Sequence, residues 1–306
     1  MSDRPIIIGT RGSDLALWQA NHIKAKLEAL GAEIQIKIIK TQGDLIQHLS
    51  FDKMEGKGFF TKEIEKELLE ESVDLAVHSF KDLETNFPQG LTIGAVTDRA
   101  NPRDVLLIRN ECVDSSLKWD LKGGAVVGTS SARRKVQLVK HRQDISTADI
   151  RGNVPTRVEK LRNGHFDAIV LAKAGLERLE YDVSDLHVHV FDPAEFIPAP
   201  AQGALALQIR EDDSRMKEVL ENIHREDIAI TTSIERRVLN LFHGGCQMPL
   251  GAYCSYLGDG EYELRAVMAE TVDHSPVSVC LVGNEPEKLA KEAVLELKQK
   301  ALEDIS

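Results

Sequence analysis

Ala125-Val126-Val127-Gly128-Thr129-Ser130-Ser131-Ala132-Arg133-Arg134-Lys135 passes from a short β-branched apolar run, through Gly128 and a cluster of hydroxyls, into good helix formers. That order predicts a strand, a turn and a helix, with Thr129 or Ser130 as N-cap. A helix start offers unpaired N–H groups and the positive end of the peptide dipole, and Arg133 and Arg134 fall within its first turn, so the segment reads as an anion seat. Arg151-Gly152-Asn153-Val154-Pro155-Thr156-Arg157 repeats the device after Ile150, with Pro155 suited to a first helical turn. Arginine forks grip carboxylate or phosphate in bidentate fashion, so two such clusters at strand ends point to a polyanionic ligand.

Working outward, the N-terminal segment carries the same theme. Pro5 to Gly9 is a strand, Thr10-Arg11-Gly12-Ser13 a turn that Ser13 can cap, and Ala16, Ala20, Ile23, Leu27 and Leu30 the core stripe of a helix stopped by Gly31. Glu33 to Lys40 alternates as a half-exposed strand. Asp44 to Gly58 has no period and is expected to be a lid loop bringing Lys53 and Lys57 over the anion. Phe60, Ile64 and Leu68 mark a helix, and Val73 to Val77 a strand leading into His78-Ser79-Phe80-Lys81-Asp82.

Asn101-Pro102 and Pro198-Ala199-Pro200 bracket about a hundred residues with their own strand and helix pattern. The expected architecture is therefore α/β: two lobes of periplasmic-binding-protein type with a hinge and a cleft, plus a small C-terminal α+β domain. The boundaries are 1–99 with 200–220, then 100–199, then 221–306. His243-Gly244-Gly245-Cys246-Gln247 forms a loop in the last of these, where two glycines allow close approach of Cys246 to a cleft.

The 306 residues carry a formal charge of −11, which argues against a general nucleic-acid binder. No apolar run suggests export or a membrane span, and the four scattered cysteines suit reduced thiols, so a cytoplasmic protein is expected. His187-Val188-His189 reads as strand alternation, and no metal is expected. Nothing in the pattern demands a partner chain, which favours a monomer.

Thr10-Arg11-Gly12-Ser13, Lys57-Gly58-Phe59-Phe60, Val77-His78-Ser79-Phe80-Lys81-Asp82, Gly128-Thr129-Ser130-Ser131-Ala132-Arg133-Arg134, Arg151-Gly152-Asn153-Val154, Gln202-Gly203-Ala204 and Gly244-Gly245-Cys246-Gln247, taken together and in this order, resemble the porphobilinogen deaminase (hydroxymethylbilane synthase) family. The resemblance implies a transferase of tetrapyrrole biosynthesis that condenses four porphobilinogen molecules head to tail, releases ammonia, and frees linear hydroxymethylbilane. It implies a dipyrromethane cofactor joined by a thioether to Cys246, and Asp82 as the catalytic carboxylate beside the reacting pyrroles. By motif match, Lys81, Thr129, Ser130, Ser131, Arg133 and Arg134 would hold the cofactor. Arg11, Ser13, Gln19, Arg151, Arg157 and Arg178 would hold substrate or the growing chain.

Four positions depart from the family pattern. Asp14 and Glu84 stand where proline is common, Ala201 where glycine is usual, and Lys173 where a small apolar residue is usual. A two-lobed anion binder of periplasmic type would also explain the arginine turns, but not the Gly-Gly-Cys loop. A phosphate-handling enzyme finds no Walker pattern or dinucleotide glycine fingerprint.

Overall fold

A computed structural model describes residues 4–41, 61–243 and 248–304. Lys53, Lys57 and Cys246 lie outside them. The chain divides into two compact units, Met1–Ala100 with Gly203–Ile230 and Asn101–Gln202 with Thr231–Ser306. Of the segment expected as a third domain, 221–230 groups with the first unit and Thr231–Ser306 with the second, where it keeps a sheet of its own.

In the first unit, β1 (Ile6–Thr10) turns through Arg11 and Gly12 into α1 (Asp14–Ala29), whose N-cap Ser13 accepts from Ala16 N. After β2 (Ile34–Ile38) come α2 (Lys62–Leu69), β3 (Leu75–Ser79) and β4 (Leu91–Arg99). The chain later returns as β10 (Ala204–Arg210) and α6 (Ser214–Glu221). The sheet order is β2-β1-β3-β10-β4, with β1, β2 and β3 parallel and β10 antiparallel to both of its neighbours. Ile6, Ile8, Leu75, Val77, Leu205 and Leu207 meet Ala20, Ile23 and Leu27 of α1 in one core. Each buried Ile or Leu stabilises by about 1.5–3 kcal/mol. The apolar stripe is shorter than its spacing predicts: Leu30 is 43% exposed because α1 has already ended. Ile38 is 56% exposed at the end of edge strand β2.

The second unit repeats this plan. Its strands are β5 (Asp104–Ile108), β6 (Val126–Gly128), β7 (Ser146–Ala148), β8 (Ala168–Ala172) and β9 (His187–Val190). They lie in the order β7-β6-β8-β5-β9, again with three parallel strands and an antiparallel neighbour. Each parallel strand feeds a helix: β6 leads to α3 (Ala132–His141), β7 to α4 (Val154–Arg162) and β8 to α5 (Lys173–Leu179). Trp119, 4% exposed, packs edge-on against Phe191 and Phe196.

From α7 (Glu226–Leu241) the chain enters an antiparallel sheet of β11 (Leu250–Gly258), β12 (Glu261–Met268) and β13 (Val277–Gly283), covered by α8 (Pro286–Asp304). The buried Glu235 of α7 ties this sheet to the end of the crossing, accepting from Ala201 N at 2.7 Å and Cys254 N at 2.8 Å. Ala201 has φ +59, a left-handed conformation that suits the glycine its position usually holds.

Candidate active site

Two arginine turns of the second unit stand side by side because β6 and β7 are parallel neighbours. Thr129 N donates to Ala148 O at 2.8 Å, while Ser130 Oγ donates to Ile150 O at 2.9 Å and accepts from Ile150 N at 3.0 Å. Thr129 Oγ1 accepts from Ser131 N. These bonds correct the expected cap. With the Ser130 hydroxyl engaged in joining the turns and the Thr129 hydroxyl held by Ser131 N within its own turn, the N-cap of α3 falls to Ser131, which makes no side-chain cap bond.

Arg151 opens the neighbouring turn. Gly152 has φ +116, and a Cβ there would lie 2.6 Å from Thr156, so only glycine fits. Asn153 caps α4 by accepting from Thr156 N at 2.9 Å, Pro155 sits in the first turn, and Arg157 Nε donates to Gly152 O at 2.8 Å. The third strand end carries α5. Its Gly175 would place a Cβ 3.3 Å from Val154, which brings this helix against the start of α4, and Arg178 is 7% exposed. The charge of Lys173 is met by Glu177 one turn on, at 3.5 Å.

Arg133 and Arg134 are not the open forks that their sequence position predicts. They are 4% and 6% exposed, and both reach Asp104, which is fully buried at the head of β5. Arg133 Nη1 donates to Asp104 Oδ2 at 2.7 Å and to Ile197 O at 2.8 Å. Arg134 Nη2 donates to Asp104 Oδ1 at 2.7 Å, and its Nη1 to Val170 O at 2.9 Å. Burial pushes the Asp104 carboxyl up, but the guanidiniums of Arg133 and Arg134 outweigh this and hold it well below the usual carboxylate range. For Arg133 burial presses downward, Asp104 pulls upward, and Arg134 adds to the downward push. Sequence reasoning missed Asp104. The signal was an acid heading the run Val105-Leu106-Leu107-Ile108, a place where a carboxylate must be paired.

The first unit holds the remaining candidates. Lys81 and Asp82 lie on a single helical turn, Phe80–Asp82, directly after β3. Lys81 is half-buried and Asp82 exposed. The strand end before them is fixed from both faces. Gln19 of α1, 2% exposed, donates Nε2 to Ser79 Oγ at 2.7 Å. On the other face His78 Nε2 meets Gln208 Oε1 at 3.0 Å, and Gln208 Nε2 donates to Glu65 Oε1 at 3.0 Å. Because Glu65 accepts, Gln208 presents its oxygen to His78, whose Nε2 therefore carries the proton. Burial pushes His78 down to about 4, with the Gln208 hydrogen bond opposing and nearby Arg11 adding to the shift. Arg11 and Ser13 occupy the turn after β1.

Among the described residues no group of three or more His, Cys, Asp or Glu could hold a metal ion, and no helix is long and apolar enough to cross a membrane. His187 and His189 instead face Asp120, at 3.0 and 3.9 Å.

The family model "Porphobilinogen deaminase, dipyromethane cofactor binding domain" matches residues 6–218, and the C-terminal domain of the same family matches residues 229–299. A porphobilinogen deaminase of a Nitratiruptor species is 46% identical over 86% of this chain and 83% of its own. That of Syntrophobacter fumaroxidans is 44% identical over 88% and 85%. Among solved structures, an ABC-transporter periplasmic substrate-binding protein from Coxiella burnetii covers 76% of this chain and 96% of its own, at 13% identity and a TM-score of 0.44. That likeness is too distant to carry any statement about a ligand. With identity above two fifths across most of the length and both domain models matched in order, the chain belongs to the porphobilinogen deaminase family.

Proposed function

We propose that this transferase condenses four porphobilinogen molecules into hydroxymethylbilane on a dipyrromethane cofactor anchored by a thioether to Cys246, with Asp82 as its catalytic carboxylate. Family membership supplies the reaction. The observation that supports the residue assignment is the excess of cation at the β6 end: two buried guanidiniums share one carboxylate, and Arg134 Nε is buried with no hydrogen-bond partner among the described residues. An unmatched buried donor beside an unmatched positive charge suits an anionic group. The acetate and propionate side chains of a pyrrole are such groups, so the residues fit the cofactor.

When bound, the cofactor supplies the free pyrrole carbon on which the chain is extended. Arg133 and Arg134, with Lys81, Thr129, Ser130 and Ser131, would hold its carboxylates. Arg11, Ser13, Gln19, Arg151, Arg157 and Arg178 would bind the carboxylates of incoming porphobilinogen and the lengthening product. Lys53 and Lys57 would add to that field from the loop. Asp82 would protonate the departing amine, balance the positive charge left on the substrate pyrrole, and accept the proton lost after carbon–carbon bond formation. A monomer in the cytoplasm fits this chemistry.

Intact-protein mass spectrometry tests the proposal. The purified chain is expected to be heavier than its sequence by two linked pyrrole units, and the Cys246→Ala variant to have the bare sequence mass. A bare parent that stays bare after incubation with porphobilinogen would refute the assignment.

A further inference from the structure

The ratio of charges beneath the β6 end has a structural cause. A buried ion pair needs one cation per anion, yet Asp104 serves two arginines, one with each oxygen. Its own position is fixed independently of them. Asp104 pairs with Ala172 in the β5–β8 ladder, and its carbonyl accepts from Phe191 N at 3.1 Å. Gln202, 1% exposed, then donates Nε2 to Asp104 Oδ1 at 3.0 Å and to Pro102 O at 2.7 Å. Gln137 braces the opposite side: it accepts from Ile197 N at 2.7 Å and donates to Ile197 O, the carbonyl that also receives Arg133. Each guanidinium therefore has a fixed carboxylate oxygen on one side and a fixed backbone carbonyl on the other.

We propose that Asp104, held by Gln202, is a positioning residue for cofactor capture. It orients Arg133 and Arg134 and cancels one of their two charges, so that the seat is complete with a single carboxylate from the ligand. The proposal rests on the reading of Arg133 and Arg134 as cofactor-binding residues. With no carboxylate at position 104 the guanidiniums would repel each other across the seat and lose their common acceptor. With two carboxylates there would be no charge left for a ligand. The buried Nε of Arg134, without a partner among the described residues, is the donor that the arrangement leaves over.

The test weighs the full-length chain and its variants Asp104→Asn, Gln202→Leu and Arg134→Lys, as purified and after titration with porphobilinogen. Asp104→Asn is expected to show a holo fraction at least about tenfold below the parent, recovered only at much higher porphobilinogen. Gln202→Leu, which keeps all three charges, is expected to fold like the parent and to need about three- to tenfold more porphobilinogen for half-loading. A structural role alone would lower melting temperature without moving that concentration. Loading of both variants at parental porphobilinogen overturns the proposal. Arg134→Lys separates the two readings. If it loads normally, the cofactor role of the arginine fails; if it stays bare while the Asp104 and Gln202 variants load normally, only the positioning role fails.

Discussion

Replacing His78 by glutamine should change how the protein responds to acid. In the folded chain His78 titrates at about 4, against about 6.5 in an unfolded chain. Between those values the unfolded state binds a proton that the native state refuses. The stability His78 contributes is thus complete above about pH 6.5 and is lost as the pH falls toward 4. At about 1.4 kcal/mol per pH unit the loss is about 3 kcal/mol. Glu65 at the other end of the same hydrogen-bonded chain works in the opposite direction. Burial raises its pKa, with Gln208 drawing it down, Glu84 pushing it up, and Thr61 and Lys62 drawing it down. Its contribution is present below the ordinary glutamate value and is lost as the pH rises through its folded value. Asp104, held low, begins to lose its contribution only below the ordinary aspartate range, outside this window.

Comparing the parent with His78→Gln removes what the two proteins share. Urea unfolding followed by far-ultraviolet circular dichroism at pH 7 and at pH 4.5 gives the difference between their midpoints at each pH. With about 2 kcal/mol per molar urea, the advantage of the parent over the variant should shrink by about 1 to 1.5 M on acidification. The same advantage at both pH values would show that His78 takes up its proton as readily in the fold as out of it. The geometry of the His78–Gln208–Glu65 chain would then be wrong.

Asp82→Asn should melt within about 1 °C of the parent, because the residue is exposed, yet lose about 10²- to 10⁴-fold in turnover; near-parental turnover sinks the catalytic assignment. Ala201→Gly relieves about 1–2 kcal/mol of left-handed backbone strain. It also removes a buried methyl and loosens the unfolded chain, each at about 0.5–1 kcal/mol. The net should be within about 1 kcal/mol of zero, and a melting shift beyond about 4 °C in either direction refutes that balance.

What was legible in the sequence was local. Ser13 caps α1 as its turn predicts, and Pro155 falls in the first turn of α4 as expected. The alternation of strand and helix located both α/β units. The partners of the site residues were not legible, because they come from distant segments. Asp104 is 29 residues from Arg133 and Gln208 is 130 from His78, and no period or motif encodes such pairs. The missed cap has partly the same origin: Thr129 and Ser130 are good caps, but the neighbouring strand's turn claims the Ser130 oxygen, and Ser131 N takes that of Thr129. The core stripe of α1 was clear as far as Leu27, but the exposure of Leu30 was not, because the helix ends at Ala29, one residue before it.

The placement of the aromatic side chains gives the molecule two optical reporters. It has two tryptophans, one in each compact unit. Trp18 stacks on the His22 ring with centroids 5.0 Å apart, so its emission should change when that contact on α1 is lost. Trp119 is buried against Phe191 and Phe196, which favours blue-shifted emission shielded from solvent quenchers. Trp18→Phe leaves a protein whose fluorescence comes from the second unit alone, and subtraction from the parent spectrum isolates the first. Whether the two units open together in urea or one after the other can therefore be read by colour in a cuvette, without any added label.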